Sequence, residues 1–317
     1  MTYYLGIDLG GTKIAAGVID SNGKIIARQN ISTRPPYDVE FVMKNMADAA
    51  VMALRKAGLS ARDIDSVGIG VPSTVNPVTH NVVFANNLRW KDVDVAGHFR
   101  KFLNIPVMVG NDADCAALGE NIAGAARNFD YVLMLTLGTG VGGGIVINHK
   151  IFSGGNGFGC EPGHTTIVMD GEPCTCGRRG CLEAYASLTA LVRDTIRAIG
   201  TYPDTIMRKM CGNDLNRVDG RLAFEAAKQN DRAALEVVHN YEHYLAVGIS
   251  SLSTLLRPQA VILGGGISNQ GEYLIAPIRE EMNQTIYAND LIPSPLIMRA
   301  ELGNDAGMIG AAFLAMK

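Results

Sequence analysis

The chain has 317 residues, 47% of them hydrophobic and 19% charged, with a net charge of -3. That apolar share can build a large core, most naturally in two domains, and it excludes the disordered and fibrous classes. The slightly acidic balance offers no basic surface for general nucleic-acid binding, and six cysteines are too few for a disulfide scaffold at this length.

The start Met-Thr-Tyr-Tyr-Leu-Gly-Ile-Asp lacks the basic region and apolar run of a signal peptide, so a cytoplasmic location is expected. Two short apolar runs between Leu5 and Ile19 surround Asp8-Leu-Gly10-Gly11-Thr12-Lys13, which predicts a hairpin around a glycine turn. Alternation from Lys24 to Ser32 predicts a third strand. Helical spacing from Val39 to Ala57 predicts a helix ending at Gly58, and Asp65–Val71 reads as a buried strand.

The same order recurs downstream. Tyr131–Leu137 runs through Gly138-Thr139-Gly140-Val-Gly-Gly-Gly into Ile145–Ile147, again strand, glycine turn, strand. Its uncharged stretch falls short of the roughly 20 residues a spanning helix needs and is broken by glycines, so no membrane segment is expected. Helices are predicted at Ser187–Ile199, with Gly200 as its stop, and at Ala233–Leu256. Ala260–Leu263 reads as a buried strand entering Gly264-Gly265-Gly266, and Asp305–Met316 as a closing helix. The recurrence predicts two similar α/β lobes. Residues 1–111 with about 303–317 would form the first, and 112–302 the second, with an insertion at about 154–183.

That insertion carries metal-ligand chemistry. Zn²⁺ takes four tetrahedral ligands from thiolates and imidazoles, and His164, Cys174, Cys176 and Cys181 supply a Cys₃His set. The set is closed, so the zinc would be structural. Three unligated thiols beside an unrelated histidine remain the alternative.

Three glycine turns can aim backbone N–H groups at phosphate. Asp8 to Lys13 combines a carboxylate, bare amides, a hydroxyl and an ammonium, which suits Mg²⁺ and a terminal phosphate. Gly138-Thr139-Gly140 offers a second cradle, and Gly264-Gly265-Gly266 a bare backbone for a base or ribose. Any one of them is compatible with an ordinary turn; three after strands in a duplicated pattern favour nucleotide binding. Gly138-Thr-Gly-Val-Gly-Gly143 satisfies GxGxxG, but strand-like Ile145-Val-Ile147 follows where a dinucleotide site requires a helix. No GxxxxGK[ST] motif occurs.

Asp-Leu-Gly-Gly-Thr-Lys, Leu-Gly-Thr-Gly-Val-Gly-Gly-Gly, Glu-x-Gly-His, Cys-x-Cys-Gly-x-x-Gly-Cys-x-Glu and Leu-Gly-Gly-Gly occur in this order. Through them nearly the whole chain resembles the ROK family of repressors, open reading frames and sugar kinases. The resemblance implies an actin-like ATPase (ribonuclease H-like) fold, two duplicated α/β domains with a cleft between them. It also implies ATP-dependent phosphorylation of a hexose, first of all glucose, at the 6-hydroxyl, with ATP, Mg²⁺ and structural Zn²⁺, in a homodimer or higher homo-oligomer. Asp112 matches the family's general base, and Asn111 would hold a neighbouring hydroxyl. Asp8 would hold Mg²⁺. Glu161, His164 and Glu183 match sugar contacts, with His164 also binding zinc, and Asn87 aligns within the sugar-contacting loop Phe84–Trp90. An Asx cap at Asn111-Asp112 and a solvated helix-start carboxylate at Glu183 are the structural alternatives.

Departures from the family pattern lie near the sugar. Cys160 and Pro162 flank Glu161, and Gly68-Ile-Gly70-Val-Pro72-Ser73-Thr74-Val-Asn76 has Ser73 and Asn76 in place of Gly and Asp. Ser73 either adds a hydroxyl near the sugar or tolerates the turn. The rival substrates are N-acetylmannosamine, allose and fructose. A non-catalytic sugar-binding or repressor-type protein is the rival class; family repressors carry a helix-turn-helix domain ahead of Asp-x-Gly-Gly-Thr, for which the residues before Asp8 leave no room. Cys115 and Cys211 are expected to be packed or surface thiols.

Overall fold

The computed structural model describes residues 2–33, 35, 37–85 and 87–314. The chain divides into two compact units, the first comprising Met1–Leu133, Gly144–Cys160 and Ala300–Lys317, the second Met134–Gly143 and Glu161–Arg299.

The first unit begins with the predicted hairpin, β1 (Tyr3–Leu9) and β2 (Lys13–Asp20), followed by β3 (Ile25–Ser32). Helix α1 (Val39–Ala57) starts where the Asp38 side chain accepts the Phe41 N–H at 3.1 Å. It stops at Gly58, whose φ of 69° is the left-handed conformation that glycine adopts without strain. Then come β4 (Ile64–Val71), β5 (Thr74–Val75), β6 (Val82–Ala85), β7 (Trp90–Val93), α2 (Val95–Arg100), β8 (Val107–Asn111) and α3 (Asp112–Ala123). The main sheet has the order β3-β2-β1-β4-β8, with β1, β4 and β8 parallel. Its buried side chains, among them Leu5, Ile7, Ile14, Val67 and Ile69, pack with Met43, Met46 and Ala50 of α1. Strands β5, β6 and β7 form a small sheet of their own. Runs of two to four residues have no readable period, which is why the sequence did not reveal them.

Strands β9 (Tyr131–Leu137) and β10 (Val141–Ile147) cross the division, and β11 (Lys150–Ile151) follows. The second unit adds α4 (Glu183–Ala186), α5 (Leu188–Thr201), α6 (Ile206–Met210), α7 (Leu222–Ala227), α8 (Arg232–Leu256), β12 (Ala260–Gly264), α9 (Glu272–Thr285) and β13 (Leu296–Arg299). The second five-stranded sheet has the order β11-β10-β9-β12-β13, which repeats that of the first: third, second, first, fourth, fifth. The expected duplication is present. Helix α5 passes through Gly200, so that glycine is no stop, and α8 ends on Arg257 at φ 48° with no glycine to announce it.

The closing helix, α10 (Ala306–Phe313), belongs to the first unit; Met316 of the expected helix lies outside the described residues. It packs backbone against backbone. A Cβ on Gly68 of β4 would sit 1.6 Å from the Ala311 carbonyl oxygen, and one on Gly310 would sit 1.7 Å from that of Cys115 in α3. Helices α3 and α10 both fall within the first compact unit. Among the described residues no helix is long and apolar enough to cross a membrane.

Candidate active site and metal cluster

In the first unit, sheet register assembles the acids. Asp8, one residue before the end of β1, lies opposite Gly70 of β4, Gly70 lies opposite Gly110 of β8, and Val71 lies opposite Asn111. The carboxyl ends of parallel strands in α/β sheets are where ligands bind. Gly70 is lean enough that its Cβ position is 3.6 Å from the Asp112 Cα. Burial, and next the negative charge of Asp112, push the Asp8 carboxyl up to about 7, against the opposing charge of Lys13. A carboxylate pair of this kind suits a divalent cation, whose charge removes both penalties.

Asn111 is the N-cap of α3: its Oδ1 accepts the N–H groups of Ala113 at 2.8 Å and Asp114 at 3.1 Å. Its Nδ2 donates to the Ser73 carbonyl at 3.0 Å, and an amide nitrogen has a second hydrogen to give. Asp112 opens the helix and accepts the Ala113 N–H at 2.9 Å. Ser73 is buried, does not adopt a positive φ, and its hydroxyl approaches the Val71 carbonyl at 3.5 Å. Asn76 accepts from Val78 and Thr79 N–H in an Asx turn. The Asn76 side chain thus supports the local backbone.

The β1–β2 turn is closed by Gly10 N–H donating to the Lys13 carbonyl at 2.9 Å, while Thr33 Oγ1 donates to the Gly10 carbonyl at 2.8 Å. Thr12 and Lys13 are exposed, and a Cβ on Gly11 would meet nothing within 4 Å, so this turn has open space beside it. Asn87 is exposed in the turn between β6 and β7.

In the second unit the glycine loops and Glu183 come together. Gly265, at φ 84°, brings the Gly264–Gly266 turn against the backbone of Leu137, immediately before Gly138; its Cβ would lie 2.4 Å from the Leu137 oxygen. The Gly138 carbonyl accepts Leu188 N–H, and the Thr139 carbonyl accepts Thr189 Oγ1 at 2.7 Å, which ties the β9–β10 loop to α5. A Cβ on Gly140 would displace the Glu183 carboxylate, whose Oε2 lies 2.2 Å from that position. That oxygen accepts the Val141 N–H at 3.1 Å, and Glu183 Oε1 accepts the Thr175 hydroxyl at 2.7 Å. Glu183 is therefore a half-buried, anchored carboxylate rather than a solvated helix start. Glu161 is exposed, just ahead of the short turn Pro162–His164, whose Gly163 abuts the Val141 carbonyl.

The metal-ligand types converge as well. One ligand atom each from His164, Cys174, Cys176 and Cys181 lie within 4.8 Å of one another. Cys176 Sγ is 3.7 Å from Cys181 Sγ, and His164 Nδ1 is 3.5 Å from Cys174 Sγ. Tetrahedral Zn²⁺ with bonds of about 2.3 Å to sulfur and 2.0–2.1 Å to nitrogen requires ligand separations of about 3.5–3.8 Å, whereas a disulfide needs about 2.05 Å. The donor set fits zinc. A short hairpin shapes it, with Pro173 bridged to Arg179 and Gly177 N–H donating to the Cys174 carbonyl. Burial pushes the Cys174 thiol up to about 12, while the Arg178 N–H holds Cys176 below the usual thiol range. Protein purified without added zinc is expected to contain about one zinc per chain by mass spectrometry, and Cys181→Ser to lose it. A folded, metal-free wild type would sink the assignment. Cys115 and Cys211 are both buried and lie outside this cluster.

Two residues the sequence did not single out support these groups. Thr175 binds Glu183, and the Tyr185 hydroxyl accepts the Glu172 N–H at 2.6 Å, fastening the metal hairpin to α4. Neither stands at a motif position, so only geometry reveals them.

The ROK family model matches residues 4–317. A glucokinase of Halalkalibacterium halodurans is 34% identical over 98% of this chain and 94% of its own length. The crystal structure of a ROK family glucokinase from Streptomyces griseus, in complex with glucose and AMPPNP, is 35% identical, covers 99% of each chain and superposes with a TM-score of 0.81. A xylose repressor of Bacillus spizizenii is 28% identical over 99% of this chain and 77% of its own. The duplicated sheets are those of the actin-like ATPase fold. With its motifs in order, both sheets in the repeated topology and a family match from residue 4 to 317, the chain belongs to the ROK family.

Proposed function

We propose that the protein is an ATP-dependent hexose kinase that transfers the γ-phosphoryl group of ATP to the 6-hydroxyl of glucose. The observation that carries this reading is the pairing of Asp8 with Asp112 across Gly70, one acid suited to a cation and the other to a proton. Asp112 accepts the hydroxyl proton as the new O–P bond forms and the bond to the departing ADP breaks; positioning and charge stabilisation do most of the work, so an ordinary carboxylate suffices.

Mg²⁺ supplies neutralisation of the phosphate charge, and Asp8 is the residue to hold it. Gly10, Gly11, Thr12 and Lys13, with Gly138, Thr139 and Gly140, cradle the phosphates, and Gly264, Gly265 and Gly266 take the base or ribose. Asn87, Asn111, Glu161, His164 and Glu183 bind sugar hydroxyls, since carboxylates accept from adjacent hydroxyls. His164 uses Nδ1 on the metal side, next to Cys174, which leaves Nε2 for the sugar. The glucose- and AMPPNP-bound relative supports the choice of substrates, and a cytoplasmic homodimer or higher homo-oligomer is part of the same reading.

A coupled ADP-release panel over glucose, allose, fructose and N-acetylmannosamine tests it. The expected result is turnover with the highest kcat/KM on glucose. A better N-acetylmannosamine, allose or fructose rate would replace the sugar, and no turnover on any sugar would leave a non-catalytic sugar-binding protein.

A further inference from the structure

Glu183 is held from two sides, and the second side has no role in the chemistry described so far. Its Oε2 is fixed by the Val141 N–H of the β9–β10 loop, and its Oε1 accepts the Thr175 hydroxyl at 2.7 Å. Thr175 stands between Cys174 and Cys176 on the metal hairpin, and Cys174 Sγ approaches the same Oε1 at 3.5 Å. We infer that Thr175 is a positioning residue for Glu183, the link through which the metal hairpin sets the sugar-binding carboxylate.

The physical reason is rotamer freedom. A glutamate side chain has three rotatable bonds, and a carboxylate that must meet two hydroxyls in one geometry loses affinity if it has to be ordered on binding. One anchor at Oε2 leaves the group free to swing about that contact; a second at Oε1 removes the swing before the ligand arrives. The hydroxyl-to-carboxylate bond is charge-assisted and short, as such bonds are when strong. Each carboxylate oxygen has two lone pairs, and a metal-bound Cys174 thiolate has no proton to donate, so Thr175 aims Oε1 and leaves it able to accept from a sugar. Ligation of a metal by the flanking thiols would fix the place of Thr175 on the hairpin, so loss of the metal would be felt at Glu183 through this hydroxyl.

This inference rests on the proposed sugar role of Glu183, and the test separates the two. In the full-length, zinc-loaded protein, Thr175→Val keeps the shape and removes the donor. It is expected to raise KM and the calorimetric Kd for glucose about tenfold, or about 1.4 kcal/mol, in the range of a net hydrogen bond to a charged group. The KM for ATP, kcat and zinc content stay within twofold, and Thr175→Ser restores glucose binding. In a Glu183→Gln background, Thr175→Val adds less than twofold. An unchanged glucose Kd in Thr175→Val, with Glu183→Gln strongly impaired, overturns the inference alone. Zinc loss with a parallel fall in kcat also overturns it, since Thr175 would then act on the hairpin fold. Unchanged glucose binding in Glu183→Gln would remove the sugar reading of Glu183 itself.

Discussion

Asp112→Ala is expected to lower kcat by about 10²–10⁴-fold, the usual contribution of a positioned general base, with glucose binding still measurable. The loss should appear in kcat and kcat/KM together, because the proton is accepted only as the phosphoryl group transfers. The fold should survive the change. Asn111 supplies the N-cap of α3 through two N–H groups, and alanine is well tolerated in the first turn. Asp112→Asn sharpens the measurement, since it keeps the side chain's size and removes the basicity. Retention of more than about a tenth of wild-type kcat in the ADP-release assay would reject Asp112 as the base.

Gly68→Ala is expected to cost about 3 kcal/mol of stability or more, although one methyl group is usually a small change. The added Cβ would lie 1.6 Å from the Ala311 oxygen and 2.4 Å from its carbonyl carbon, both backbone atoms of α10. No rotamer change can relieve a clash with backbone; the helix itself must lift from β4. Gly6 of β1 meets the same helix, its Cβ position 1.9 Å from the Met308 oxygen, so tilting the helix toward β1 gives no escape. A loss of this size is a large share of the 5–15 kcal/mol that typically holds a domain together. Gly11→Ala is the control, because its Cβ meets nothing within 4 Å and stability should stay within about 0.5 kcal/mol. Urea denaturation of both variants decides the matter, and a Gly68→Ala midpoint equal to wild type would show that the close approach is absent.

The parts that were legible are local in the chain. The β1–β2 hairpin, α1 with its Gly58 cap, and the strand that becomes β4 follow from period and punctuation. The Cys₃His set was readable because all four ligands fall within one short stretch. The strand after Gly140 was readable too, and β10 fills the place where a dinucleotide site would need a helix. Signals failed where a residue's usual meaning gave way to packing. Gly200 did not stop α5, Arg257 ended α8 without a glycine, and α9 contains Pro277.

By itself, then, the sequence determined the duplicated α/β class, the metal-ligand set and the glycine turns, because each is written in residues close together along the chain. Only the tertiary structure decided that Asp8 and Asp112 share one end of a sheet, that Gly265 presses its loop onto Leu137, and that Glu183 is clamped by Val141 and Thr175. It also decided that α3 and α10 meet backbone to backbone. These depend on strand register and on the closeness of glycine contacts between distant segments, where a shift of one residue or one methyl group changes the neighbours while leaving the local pattern untouched.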